Sequence, residues 1–287
     1  MIFLTGAAGK TGRSILRALS AKGIQAKVLV RSSQQADSIR AIGAFETILG
    51  DLRDSSTYET RLSGVDKIYY ICPNVAPDEL LIGNTLLKIA QNNKVQHFVY
   101  HSVLHPQVED MPHHWQKMRM EEAIFKSGID FTILQPCAYM QNVLAGWKRI
   151  VDDGRYVVPY KISSKLSIVD LNDVGEAAAR ILSGADFANA ILELAGPEPL
   201  PQTEVAAQLS AALGRPVEAV EQSRVEWKQR AQQGGMDERQ IDVLLKMFEY
   251  YDQYGLVGNP WVLENLLERK PTTFKQFLAR ILISGEE

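Results

Sequence analysis

The chain has few cysteines, no surplus of positive charge and no long apolar run. Cys72 and Cys137 are its only cysteines and each lies inside an apolar stretch, so neither a disulfide framework nor a CxxC site can be built. Lysine and arginine number 31 against 34 acidic residues, which lacks the cationic excess that binds a phosphate backbone. No stretch reaches the roughly 18 apolar residues of a membrane span, and no basic leader with an apolar core begins the chain. These absences predict a cytoplasmic protein that neither binds nucleic acid directly nor spans a membrane.

What is present is an ordinary globular composition. Hydrophobic residues make up 46% and charged residues 23% of 287 residues, which excludes disordered, collagen-like and coiled-coil proteins. A chain of this length is typical of one large domain or of a domain with an appended lobe.

Short β-branched and aromatic runs alternate with helical stretches through the first half of the chain. The runs are almost continuously apolar, as strands are when helices cover both faces of their sheet. Six such alternations predict a doubly wound α/β fold built on a parallel sheet. The predicted strands are 2–5, 26–30, 46–49, 67–71, 95–100 and 130–134, and the predicted helices are 10–22, 33–42, 54–63, 78–93 and 114–127.

Beyond residue 154 the order loosens into a smaller, mostly helical C-terminal lobe. Strand-like runs, including 191–194, are mixed here with helices over 202–213 and towards the end of the chain. The alanine-rich helix near 174–182 is apolar on most sides, which predicts that it packs back against the sheet. The predicted domains are therefore 1–154, with 165–184 packing back onto it, and a substrate or partner lobe of 155–287.

The strongest motif, TGAAGKTG at 5–12, follows the first predicted strand and opens the first helix. Gly6 permits a tight turn, Gly9 lets the backbone approach a pyrophosphate, and Gly12 allows close helix–strand packing. A P-loop is excluded because it would need glycine where Leu4 stands. The turn therefore predicts dinucleotide binding through Gly6, Ala8, Gly9, Lys10, Thr11 and Gly12.

The end of the second predicted strand indicates which dinucleotide is bound. NAD sites usually place an acidic residue there for the ribose 2'-hydroxyl, whereas this chain has Arg31 followed by Ser32 and Ser33. A cation with hydroxyl donors suits a 2'-phosphate, so NADP(H) is favoured over NAD(H); the alternative is a solvated surface arginine. Further cofactor contacts are expected after the next two strands, at Asp51, Leu52, Cys72 and Pro73.

Together these motifs resemble the NmrA-like group of the atypical short-chain dehydrogenase/reductase superfamily. The resemblance spans nearly the whole chain and implies an NADP(H)-binding Rossmann domain with a small lobe that closes a substrate cleft. It also implies either an NAD(P)H-dependent reductase or a redox-sensing regulator with little turnover. The segments that carry it, besides the glycine turn and Arg31, are 113–136, 139–142, 167–182 and 195–217.

The superfamily's YxxxK pair is missing. Lys117 matches its lysine, but His113 stands where the tyrosine would be, and Ser102 matches the superfamily serine. A helix would place His113 and Lys117 on one face, and histidine can carry a proton near neutral pH. The other interpretation of His113 is a helix start. The candidate catalytic residues are Lys117, which is also a cofactor contact, His113, Ser102 and Tyr139.

The segment PCAYMQN leaves the sixth predicted strand where a Rossmann enzyme holds the nicotinamide. Pro136, Tyr139 and Asn142 are candidate contacts, and the alternative is an apolar lead into the next helix. The five histidines have no carboxylate or thiol at a recognised ligand spacing, so no metal site is predicted.

The sequence thus favours an NADPH-dependent oxidoreductase that reduces a small quinone or carbonyl acceptor. The rival is a non-catalytic NADP(H) redox-sensing regulatory protein that acts through protein partners. A regulatory protein partner or a homodimer stays open, as does the identity of the acceptor.

Overall fold

The computed structural model describes residues 1–184 and 186–284. That part of the chain holds eleven strands and eleven α-helices. The strands are β1 (Ile2–Leu4), β2 (Ala26–Val30), β3 (Glu46–Leu49), β4 (Lys67–Tyr70), β5 (His97–His101), β6 (Asp130–Pro136), β7 (Arg155–Val158), β8 (Lys165–Leu166), β9 (Ala190–Leu194), β10 (Leu200–Pro201) and β11 (Glu218–Glu221). The helices are α1 (Lys10–Ala21), α2 (Ser33–Arg40), α3 (Glu79–Asn92), α4 (Pro112–Phe125), α5 (Trp147–Asp153), α6 (Leu171–Ser183), α7 (Gln202–Leu213), α8 (Arg224–Gln233), α9 (Glu238–Tyr254), α10 (Trp261–Leu267) and α11 (Phe274–Ser284).

Seven strands form one sheet in the order β3-β2-β1-β4-β5-β6-β9. The pairings from β3 through β6 are parallel, with Ile2 level with Ala26 on one side and Lys67 on the other. The chain winds outward in one direction from β1 and in the other from β4, so the order reverses between these two strands. The predicted doubly wound sheet is confirmed, and sheets of this kind bind ligands beyond the carboxyl ends of the strands at that reversal.

The helix predicted over 54–63 is instead a pair of 3-10 turns, Ser55–Thr57 and Glu59–Leu62. Local hydrogen bonds compete with an α-helix here, because the Asp54 carboxylate accepts from the Ser56 amide at 3.2 Å. Short polar side chains favour such turns over an α-helix, so the prediction of a helix over 54–63 was wrong.

Contacts divide the chain into two compact units. The first consists of Met1–Gln107, His114–Pro136 and Leu171–Glu193, and the second of Val108–His113, Cys137–Asp170 and the residues from Leu194 on. Residues 137–154, which the sequence analysis placed with the sheet, belong to the second unit. The run at 191–194, assigned from sequence to the lobe, lies in β9 of the main sheet.

In the first unit α6 packs on α1. The Ser14 hydroxyl in α1 donates to the Leu171 carbonyl at 2.6 Å, and Ser14 is buried. Gly175 approaches so closely that a Cβ on it would lie 2.8 Å from the Ser14 carbonyl oxygen. The alanine-rich helix is therefore part of the unit that holds the sheet.

The second unit has its own core. β7 pairs with β11 in parallel and β8 with β10 antiparallel. Phe274 and Phe277 of α11 are buried among apolar side chains of α7, and Tyr160 packs against Phe248 and Tyr251 with ring centroids 5.9 and 5.5 Å away. None of the helices given above combines the length and apolar composition that a bilayer crossing requires.

Candidate functional site

The three glycines of the turn after β1 differ in how much space surrounds them. Gly6 has a φ of +65°, and a Cβ there would lie 2.9 Å from the Cβ of Ile71. A Cβ on Gly12 would lie 2.3 Å from the Gly6 carbonyl oxygen, so the helix touches the turn at this point. At Gly9 a Cβ would meet, among the described residues, only that same carbonyl oxygen at an ordinary 3.4 Å. The fold therefore requires glycine at 6 and 12, whereas the space beside Gly9 is open.

The amino end of α1 is suited to an anion. Gly9 is its N-cap, no described side chain caps the helix, and no acidic residue lies in the first turn. Backbone N–H groups and the helix dipole at such an end attract phosphate. Ala8, Lys10 and Thr11 flank this end, and Lys10 is exposed. The turn therefore fits the pyrophosphate of a dinucleotide.

Two polar side chains that the sequence analysis missed hold the turn in place. The Thr5 hydroxyl donates to the Ile71 carbonyl at 2.9 Å and accepts from the Ile71 amide at 2.8 Å, which joins the ends of β1 and β4. The Arg13 guanidinium donates to the Ala8 carbonyl at 3.1 Å and to the Ser38 hydroxyl at 3.0 Å. Their signal in the sequence was their place directly beside the outer glycines of the motif.

Arg31 lies just after β2 and is exposed. Its backbone amide donates to Oε1 of Gln35 at 2.9 Å, and the Ser32 hydroxyl caps α2 by accepting from the Gln35 amide at 3.2 Å. Over residues 1–184 and 186–284 the Arg31 guanidinium has no hydrogen bond or ion pair. An unpaired guanidinium beside a helix N-terminus can bind a phosphate through two parallel hydrogen bonds.

The predicted cofactor contacts after β3 and β4 differ in their exposure and in their hydrogen bonds. One carboxylate oxygen of Asp51 accepts from the Arg53 amide at 2.9 Å, and Leu52 is half-buried against the core. Cys72 is buried, and burial is the main reason that the pKa of its thiol rises to about 12. Pro73 is exposed. Cys72 is therefore a neutral thiol near pH 7.

Lys117 is held in a network at the carboxyl end of β5. Its Nζ donates to Oε1 of Glu79 at 2.8 Å and lies 3.4 Å from the His101 carbonyl oxygen. The Tyr100 hydroxyl donates to the same Glu79 oxygen at 2.5 Å, and the ammonium lies 5.4 Å from the centre of the Tyr100 ring. The side chains of Lys117 and Glu79 are 14% and 3% exposed. The Lys117 side chain is thus largely buried, and its ammonium is paired with the Glu79 carboxylate.

Ser102, the serine matched to the superfamily, is hydrogen-bonded to a buried carboxylate. It is buried, and its hydroxyl donates to the buried carboxylate of Glu121. The Gln135 amide nitrogen donates to both Glu121 oxygens at 3.0 Å. Ser102 can protonate an acceptor only after giving up this bond.

The Glu121 carboxyl gives a pH-dependent prediction. Burial raises its pKa, although hydrogen bonds from Ser102 and Gln135 lower it in part. The folded protein therefore takes up this proton at a higher pH than the unfolded chain, so acidification through the folded pKa favours folding at this site. Relative to Glu121→Gln, which cannot titrate, we expect the melting temperature of the unmodified protein to rise as pH falls from 7 to about 5. Thermal melts of both proteins across that range test the sign; a difference that stays constant with pH contradicts it.

The histidines in and around β5 are tied to the fold. His101 Nδ1 is 2.8 Å from the Tyr69 hydroxyl, and burial is the main reason that the pKa of its imidazole falls to about 3. His97 Nε2 is 2.8 Å from the Thr132 hydroxyl. In the described part of the chain, no group of three or more His, Cys, Asp or Glu side chains is placed to hold a metal ion.

The remaining candidates lie near the end of β6 and in the second unit. Pro136 ends β6, and its carbonyl accepts from the Leu104 amide at 2.8 Å. Tyr139 is half-buried, and its carbonyl accepts from the amide of Asn142, which is exposed, at 3.0 Å. His113 is buried in the first turn of α4, one turn before Lys117. The roles of these residues stay predictions.

A glycine turn at the reversal of a doubly wound sheet, beside an uncapped helix end, defines a dinucleotide-binding Rossmann protein. The first unit brings this turn, Arg31, Asp51, Cys72 and Lys117 to the carboxyl edge of its strands. The chain belongs to the NmrA-like family, whose family model matches residues 1–278.

Named relatives cover almost the full chain. An NAD(P)H azoreductase of Xenophilus azovorans is 30% identical over 280 residues, 96% of each chain. A solved structure of an NADPH-dependent quinone oxidoreductase from Escherichia coli, complexed with NADPH, matches with a TM-score of 0.84 and 24% identity, covering 98% of this chain and 100% of that one. NmrA, a negative transcriptional regulator solved in complex with NADP, matches with a TM-score of 0.78 and 19% identity, covering 99% of this chain and 96% of that one.

Proposed function

We propose that this protein is an NADPH-dependent reductase that transfers a hydride to a small quinone or carbonyl acceptor. The observation that carries the proposal is the pairing of an open glycine turn at Gly9 with the unpaired guanidinium of Arg31. The first suits a pyrophosphate and the second a 2'-phosphate. The names of the azoreductase and quinone oxidoreductase relatives support reduction of a conjugated acceptor.

Each group of the first unit has one task in this proposal. The turn from Gly6 to Gly12 binds the pyrophosphate, Arg31 the 2'-phosphate, and Lys117 anchors the nicotinamide ribose with its ammonium. Bound NADPH supplies the hydride, and the protein supplies orientation and protonation. A quinone does not need a strong protein acid, which is consistent with the absence of the superfamily tyrosine. Lys117 is the protein group proposed to give a proton to a carbonyl acceptor.

Cofactor preference is tested at Arg31. A charge-assisted contact of about 1.5 to 3 kcal/mol would be lost in Arg31→Ala, so NADPH binding should weaken by roughly one to two decades while NADH binding hardly changes. Calorimetric titration of both nucleotides measures this. Arg40→Ala is the matched control, because Arg40 is an exposed arginine of α2 that is already paired with Asp37 at 2.9 Å. Equal losses for NADPH and NADH would refute the phosphate role.

The reductase proposal itself is tested by NADPH oxidation with a panel of quinones and small carbonyl compounds. Many NADPH molecules oxidised per protein molecule is the expected result. Oxidation that stops at one equivalent or less, with NADPH still bound tightly, would favour the rival function.

The rival is an NADP(H) sensor that changes its contacts with a protein partner. One observation favours it: both superfamily side chains are held by internal carboxylates, Lys117 by Glu79 and Ser102 by Glu121. Groups held in this way suit binding without turnover. The resemblance in fold to the regulator NmrA is consistent with this second candidate.

A further inference from the structure

Glu79 is a nearly buried carboxylate that the tasks given above leave unused. It is the first residue of α3, where the helix dipole favours a negative charge. Its Oε1 accepts from Lys117 at 2.8 Å and from the Tyr100 hydroxyl at 2.5 Å. The Tyr70 hydroxyl donates to its backbone carbonyl at 3.1 Å, which holds the first turn of α3 as well.

Lys117 has few other neighbours of opposite charge. The other carboxylate that acts on it, Glu121, is buried with its oxygens taken by Ser102 and Gln135, and no ion pair joins it to Lys117 in the described chain. Glu79 therefore both fixes the position of the ammonium and places an opposite charge 2.8 Å from it. Burial strengthens this effect, because charges interact more strongly at the low dielectric of a protein interior than in water.

The two oxidation states of a nicotinamide differ in charge, since the oxidised ring carries a positive charge and the reduced ring none. An uncompensated ammonium at the nicotinamide ribose would therefore oppose the oxidised cofactor and leave the reduced one almost unaffected. An ammonium paired with a carboxylate has no such preference.

We propose that Glu79 is a positioning residue that holds Lys117 and compensates its charge, so that the site tolerates the positive nicotinamide produced by hydride donation. This inference rests on the proposed function, because it requires Lys117 to lie at the nicotinamide ribose. It concerns the balance between NADP⁺ and NADPH, and it applies to a sensor as well as to a reductase.

The test compares dissociation constants of NADP⁺ and NADPH, measured by calorimetry on the full-length protein. Glu79→Gln keeps the size of the side chain and removes its charge, so the ratio of the NADP⁺ constant to the NADPH constant should rise about tenfold. Lys117→Met leaves the negative charge alone and should move the ratio in the opposite direction. The double variant removes both charges and should restore a ratio near that of the unmodified protein.

Glu122→Gln is the matched control, because Glu122 lies on the same helix as Lys117 but has a side chain that is 38% exposed and pairs with Arg119 and Lys126. Its ratio should not change. If Glu79→Gln does not fold, the proposal is tested by Lys117→Met alone, in which the ratio of the NADP⁺ constant to the NADPH constant should fall. Equal weakening of both nucleotides in every variant overturns the role of Glu79 and leaves the proposed function intact. Failure of the unmodified protein to bind either nucleotide overturns both.

Discussion

Gly9→Val is expected to abolish dinucleotide binding while leaving the fold intact. The residue has extended backbone at φ −80° and ψ 167°, which valine can adopt, and the space for a Cβ is open. The added side chain would occupy the approach to the N–H groups at the start of α1, where the pyrophosphate is proposed to bind. Loss of the NADPH fluorescence enhancement, with an unchanged circular dichroism spectrum, is the expected result.

Gly12→Ala provides the contrast. A Cβ there would lie 2.3 Å from the Gly6 carbonyl oxygen and 2.6 Å from the Ala7 Cα, so the turn must shift. This variant should lose thermal stability as well as binding. If Gly9→Val still enhances NADPH fluorescence, the glycine turn is not the pyrophosphate site.

Lys117→Met should reduce turnover by about 100-fold or more, the usual scale for a lost acid–base group. The same change should lower stability, because it leaves the Glu79 carboxylate, 3% exposed, without its cation. Breaking a buried pair by removing one partner costs about 3 to 5 kcal/mol. NADPH oxidation rates and thermal melts measure the two effects separately.

Two further variants separate the site role of Lys117 from its structural role. Adding Glu79→Gln to Lys117→Met should recover much of the lost stability but none of the turnover. Lys126→Met, at a lysine one residue past the end of the same helix whose side chain is 71% exposed, should change neither. If Lys117→Met keeps full turnover while His113→Ala or Tyr139→Phe loses it, the proton comes from elsewhere and Lys117 has only a structural role.

Much of the fold was accessible from the sequence because its signals are local. The runs at 26–30 and 46–49 have the bounds of the strands in the structure, and the helix at 202–213 has the bounds of α7. The failures occurred where local patterns are ambiguous. Residues 54–63 have the spacing of a helix but contain short polar side chains that hydrogen-bond to nearby backbone. The sequence of a short strand such as β9 does not indicate which sheet the strand joins.

The same division holds within the candidate site. The glycine turn and Arg31 could be predicted as phosphate contacts from the sequence, because the backbone conformation that a phosphate site needs depends on a few adjacent residues. Thr5 opens that motif and Arg13 follows it, and their roles were missed, since their contacts reach residues that are distant in sequence.

The sequence by itself determined the alternation of strands and helices, the position of the glycine turn and the basic end of β2. Only the tertiary structure decided which charges meet. Glu79 and Lys117 are 38 residues apart, and Ser102 and Glu121 are 19 apart. No periodicity joins such residues; they meet because neighbouring parallel strands end at the same edge of the sheet, where α3 and α4 bring their side chains to β5. The partners of the two superfamily side chains were therefore set by packing rather than by any motif.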